Sequence, residues 1–173
     1  MPRFRIITVI AAPIHVCFDL ARDIDFHTRS LEGTGERAVG GRTTGLIGLG
    51  ESVTWEARHL GIRQRLTAEV TVLDCPNYFR DVMTAGAFDS FAHDHRFEVR
   101  DGHTVMTDEV EFKSPFGPIG WLVDRLFMTD YLRRLLEDRG QAIKREAESV
   151  GRPRVPGTAA VSLGENESSA FIH

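Results

Sequence analysis

The chain has only two cysteines, no long apolar run and no excess of basic residues. Cys17 lies in an amphipathic stretch and Cys75 precedes a proline. Neither has partners at metal-ligand spacing, so both are expected to be reduced, structural residues. The N-terminal stretch MPRFRIITVIAAP is apolar only briefly, being broken by Thr8 and ended by Pro13, and no later run reaches the length of a membrane span. A cytoplasmic protein is therefore expected. The formal charge of −4, with Lys and Arg interspersed among acids, argues against a nucleic-acid binder. The glycine-rich GLIGLGE does not follow a strand and open a helix, and it lacks the lysine of a phosphate-binding loop. No cofactor is expected.

What is present suits one soluble domain: 173 residues, 42% of them hydrophobic and 27% charged. Phe4 to Ala11 is rich in strand formers, and Pro13 opens a short helix through Ala21 with Val16, Cys17, Leu20 and Ala21 on its buried stripe. A second short helix or turn is expected over Ile24–Leu31, then a glycine-punctuated stretch holding at most a weak strand. From Glu51 the pattern is cleanly period two through ESVTWEARH, IRQRLTAEVTVLD and YFRDVMTAG, with turns at Gly61 and at Pro76–Asn77. One long helix is predicted from about Pro118 to Glu148, with Leu122, Leu126, Leu132, Leu135, Leu136 and Ile143 as its apolar stripe. The expected division is a domain over residues 1–149 and a flexible tail over 150–173, where Gly, Pro and Ser replace periodicity.

The most informative segment is FAHDHRFEVRDGHTVMTDEVEFKSPF, two alternating strands joined at Asp101–Gly102. Alternation puts Phe91, His93, His95, Phe97 and Val99 on one face, and Met106, Asp108, Val110 and Phe112 on the matching face of the second strand. If Phe97 and Met106 mark the inner side, then Glu51, Val53, Trp55, Ala57 and His59 point inward too. So do Gln64, Leu66, Ala68 and Val70, and likewise Phe79, Asp81 and Met83. The predicted lining is apolar with acids and histidines set into it, which suggests a pocket. Buried carboxylates at Glu51, Asp81 and Asp108 would need His93, His95, an arginine or water beside them.

The order of strand, two short helices, about six antiparallel strands and a long C-terminal helix resembles the helix-grip fold of the START and Bet v 1 superfamily over residues 3 to 149. The runs ARDIDFH, GESVTWEARH, FRDVMTAGAFDSFAHDHRFE and MTDEVEFKSPFGPIGWLVDRLF look like the bacterial SRPBCC branch labelled polyketide cyclase/dehydrase. The resemblance implies an α+β fold in which a curved antiparallel sheet of six to seven strands grips the helix. It also implies a cavity for an apolar or aromatic small molecule. Members range from lipid carriers to aromatic cyclases, so the fold does not decide the activity.

The candidate catalytic residues are His93 and His95, oriented by Asp81 or Asp108 to act as general base or acid on a phenolic or polyketide-like ligand. Glu51, Trp55, Gln64, Met83, Phe97 and Met106 are the candidate ligand contacts. The plainer account is that the histidines and acids satisfy one another and hold strand register. A carrier or sensor of a lipid or quinone-like ligand, lacking catalysis, is the alternative function. His93 and His95 could both reach an ion with Asp81 or Glu51, but HxH on a strand is a weak pattern without a third histidine, and no metal is expected. Asp25 and His27 read as a helix cap and a surface histidine near the pocket mouth. Trp121, Phe127, Met128 and Tyr131 read as core or cavity wall. If Trp121 and Phe127 stay exposed with Phe116, they would form a homodimer contact or a lip around the cavity.

Overall fold

The computed structural model describes residues 1–31, 35–59 and 61–150, without the side chains of His59, Trp121, Val123 and Asp124. The predicted tail, apart from Val150, and the proposed roles of the His59 and Trp121 side chains lie outside the described residues.

Strand β1, Arg3–Ile10, alternates strictly, burying Phe4, Ile6, Thr8 and Ile10 and exposing the residues between. Pro13 precedes helix α1, Ile14–Arg22, which buries Cys17, Phe18 and Ala21. Helix α2, Ile24–Ser30, follows at once, capped by Asp23, whose Oδ1 accepts from the backbone N–H groups of Asp25 at 2.8 Å and Phe26 at 3.1 Å. The glycine-rich stretch forms a short edge strand, β2, Arg37–Gly41. The remaining strands are β3, Ser52–His59; β4, Ile62–Asp74; β5, Tyr78–Ala85; β6, Ser90–Arg100; and β7, His103–Lys113. Together they make one antiparallel sheet of seven strands in the order β1-β7-β6-β5-β4-β3-β2.

The β6–β7 hairpin turns at Asp101 and Gly102, both at positive φ (50° and 76°), the geometry an Asp-Gly pair favours. Its register sets His93 opposite Val110, His95 opposite Asp108 and Phe97 opposite Met106. On the other side β5 pairs Asp81 with His93 and Phe79 with His95. Two irregularities between β4 and β5, at Thr67/Ala68 and Val70/Val72, bend the sheet.

The predicted single C-terminal helix is interrupted. It consists of α3, Pro118–Val123, a π-helical turn, Asp124–Met128, and α4, Thr129–Val150. The wider turn shifts the faces on either side of it out of phase. Leu122 and Leu126 are consequently exposed, as are Phe116 and Phe127, whereas Leu132 and Ile143 of the same predicted stripe are buried. Helix α4 approaches β1 closely at Gly140, where an added Cβ would lie 2.8 Å from Thr8 Oγ1. Nothing larger than glycine fits there without movement. No described helix is long and apolar enough to cross a membrane, and Cys17 and Cys75 are both unpaired.

Candidate active site

Strands β5, β6 and β7 place four titratable side chains in a continuous row on the inner face. His93 Nε2 lies 3.0 Å from Asp108 Oδ1, and His95 Nε2 lies 3.0 Å from Asp81 Oδ1. His95 Nδ1 also sits 2.8 Å from Asp108 Oδ1, close enough for ionic attraction but off the line of a hydrogen bond. The row therefore runs Asp81, His95, Asp108, His93. The imidazoles lie against each other at 3.7 Å between centroids, and Phe79 stacks on His95 at 4.0 Å.

This row borders a cavity of about 190 Å³ between the sheet and the helices. Asp81, His93 and His95 form one stretch of its wall, and Trp55, Gln64 and Val70 belong to the wall built by β3 and β4. Leu132, Leu135 and Leu136 of α4 face them. Of the candidate residues, His93, His95, Asp81, Trp55 and Gln64 thus reach the cavity. Asp108 lies behind the histidines, buried and outside the lining.

Four expected ligand contacts do not line it. Phe97 packs edge-on to Phe18 at 5.4 Å, and Met106 is wholly buried in the same core, because α1 covers that end of the inner face. Glu51 turns back to its own loop, accepting from Gly48 N–H at 2.7 Å and lying 3.4 Å from Arg42. Met83 is half-buried on β5 opposite Ala68, at the Thr67/Ala68 irregularity, and is not part of the cavity wall.

The environment drives the two histidines apart. Burial, together with the neighbouring His95, holds His93 below its ordinary value and therefore neutral. Burial would also lower His95, but its contacts with the Asp108 and Asp81 carboxylates outweigh that and raise it, so of the two imidazoles His95 holds its proton to higher pH. The same contacts outweigh burial at Asp108 and Asp81 and keep both carboxylates ionised. Two adjacent imidazoles shifted in opposite directions are suited to serve as a base and an acid. Asp81, His93 and His95 also bring donor atoms within 4.8 Å of one another, a His₂-carboxylate set in which a cation would compete with the proton on His95. Asp81, not Glu51, is the oxygen donor in reach.

A second polar group borders the cavity, at the histidine that the sequence reading put near the pocket mouth. His27, expected at the surface, is half-buried on α2 and stacks on Trp55 at 4.0 Å, with Nε2 3.2 Å from Glu36 Oε1. Burial and the charge of Arg139 keep it neutral. The helix cap is Asp23; Asp25 instead accepts from Gly45 N–H at 2.8 Å, tying α2 to the following loop. Arg139 of α4 also lines the cavity, with 7% exposure. Its signal was in the sequence, as a charged residue within the buried spacing Leu132, Leu136, Arg139, Ile143.

No family model and no curated protein matches the sequence. Solved structures do match. A protein from Thermus thermophilus aligns over 87% of this chain and all of its own, with 19% identity and a TM-score of 0.71. Ara h 8.0201 aligns over 86% of this chain and 98% of its own, with 16% identity and a TM-score of 0.63. A START superfamily protein from Mycobacterium smegmatis covers the same shares at 10% identity, with a TM-score of 0.63. What is shared at these identities is the fold, and the chain has the helix-grip fold of START and Bet v 1-like proteins.

Proposed function

We propose that the protein binds a compact hydrophobic ring compound in this cavity and exchanges protons with it through His93 and His95, in the manner of a cyclase or dehydratase. The observation that carries this reading is the Asp81–His95–Asp108–His93 row set into an otherwise apolar wall. Size narrows the ligand. An apolar cavity of about 150 Å³ takes up benzene, so about 190 Å³ suits one or two rings. Neutral His93 is the base, and its Nδ1 has no hydrogen-bond partner among the described residues. Protonated His95 is the acid. Abstraction of a proton next to a ligand carbonyl by His93, with donation to the developing oxygen by His95, gives an enol; the reverse transfer restores the pair. Asp81 and Asp108 do not titrate in this cycle but hold the imidazoles in place. The unpaired cysteines are consistent with the reducing cytoplasm in which we place the chain.

Native mass spectrometry of the purified protein, followed by extraction, is expected to show a retained aromatic or quinone-like compound. In deuterium oxide the protein is expected to speed exchange of the methyl protons of acetophenone, and His93→Gln to lower that rate by roughly a hundredfold. An empty protein that takes up neither acetophenone nor apolar fluorescent dyes would sink the ligand-binding reading. Uptake without exchange would leave a non-catalytic carrier, the reading that the mostly apolar wall favours.

A further inference from the structure

Arg22, Arg65 and Arg139 all reach the cavity wall, but of these only Arg139 is buried, and its donors are largely unused. Its Nη2 donates to the carbonyl oxygen of Ala21 at 2.6 Å, in the last turn of α1. Capping that carbonyl occupies one of five N–H donors. The Nε–H is fully buried and has no partner. Among the described residues no carboxylate lies within ion-pair distance of Arg139, although Asp81 and His27 both feel its charge. A buried guanidinium satisfied by a single carbonyl is costly, and such groups are retained where something else completes them.

The surroundings say what that partner is. Arg139 shares the cavity wall with Leu132, Leu135 and Leu136 on its own helix, and Asp81 and the histidines belong to the same wall from the sheet. A ligand acceptor placed at Arg139 therefore leaves the ring body against leucines and Trp55. The acids already present, Asp81, Asp108 and Glu36, outnumber the charges of Arg139 and His95, so the site calls for an acceptor oxygen and not for a further full negative charge.

Resting on the ligand-binding reading above, we propose that Arg139 recognises a ring-conjugated carbonyl or phenol oxygen, making oxygenated aromatics, and not plain hydrocarbons, the ligand class of the cavity. A guanidinium at that oxygen also stabilises the negative charge that develops there when a neighbouring proton is removed. Arg139 is then a binding group as well as the cap of α1.

The test uses two probes of nearly identical shape, acetophenone and α-methylstyrene, in which C=O is replaced by C=CH₂. Binding is followed by calorimetry on the full chain. Wild type is expected to prefer the ketone by roughly tenfold or more, since leaving a buried donor unpaired is penalised. Arg139→Gln, checked for a native melt, is expected to lose most of that preference. Equal binding of both probes by wild type would overturn the role of Arg139 while leaving the cavity reading intact. So would a preference that survives in Arg139→Gln, because another donor would then read the oxygen. Binding of neither probe would sink the ligand-binding reading and this inference with it. If Arg139→Gln does not fold, the carbonyl stretch of wild-type-bound acetophenone decides. A shift to lower frequency supports the guanidinium contact, and an unshifted band overturns it.

Discussion

Two neighbouring residues of β7, Asp108 and Glu109, are both buried acids and lead opposite lives. Glu109 points to the outer face, where Arg5 Nε donates to it at 2.6 Å and Arg3 Nη2 at 3.0 Å from the adjacent strand. Glu56 on β3 repeats the device, held by Arg37 at 3.2 Å and Arg65 at 2.9 Å. Asp108 points inward and meets His93 and His95 instead. Each carboxylate is flanked by two basic groups on neighbouring strands. The difference is the base. Arginine does not release its proton near neutral pH, so the outer clusters are fixed charges that bolt strands together. Histidine can, so in the inner cluster the same architecture holds a movable proton. Arg5 and Arg3 hold Glu109 below the usual carboxylate range, as Arg37 and Arg65 do Glu56; neither titration feeds the cavity.

The contrast can be broken first at its centre. Asp108→Ala leaves a charged or poorly satisfied His95 under the sheet and is expected to cost about 3–5 kcal/mol by urea denaturation. A loss near that of an ordinary surface change would show the inner row to be dispensable.

The next effect is in pH. His95, raised above its ordinary value of about 6.5, contributes stability that is complete below pH 6.5 and is lost as pH rises through its folded value. His93, lowered, contributes in the opposite direction: the folded state loses ground as pH falls below about 6.5 toward its folded value. The inner row therefore makes stability peak near that pH, and His95→Gln should flatten the alkaline side and, by removing a neighbour that helps lower His93, soften the acid side to a lesser degree. Histidine titrations by NMR check the order directly. If His93 takes up its proton at higher pH than His95, the assignment of acid and base is reversed.

The smallest effect belongs to the outer face. Glu109→Gln is expected to cost up to about 1 kcal/mol because both arginine partners are largely exposed, to shrink further in high salt, and to leave proton exchange at the cavity untouched. A loss as large as that of Asp108→Ala would erase the distinction drawn between the two faces.

Much of the sheet was legible because period-two alternation survives in β3 to β7, and the Asp-Gly turn fixed the β6–β7 register that brings His95 opposite Asp108. Alternation assigns a face, however, and not a position along it. Phe97 and Met106 share the face of His93 and His95, yet they fall under α1 in the packed core, and Met83, at the β4–β5 irregularity, is left out of the cavity wall. The stripe of the last helix misled for a similar local reason. Helical spacing assumes an unbroken helix, and the π turn at Asp124–Met128 put Leu122 and Leu126 into solvent. The partner of His27 could not be read from its neighbours, since it stacks on Trp55, a residue far along the chain that only folding brings to α2.

By itself the sequence determined the strand faces, the helices after β1 and the presence of two histidines and two aspartates on the inner side, because these follow from side-chain periodicity and turn chemistry along a short stretch of chain. Tertiary structure alone decided which of those groups border the cavity, that His95 sits between two carboxylates while His93 touches one, and that Arg139 joins them from the last helix. Those outcomes depend on how strands bend and where helices cover them, and so on packing between residues far apart in the chain.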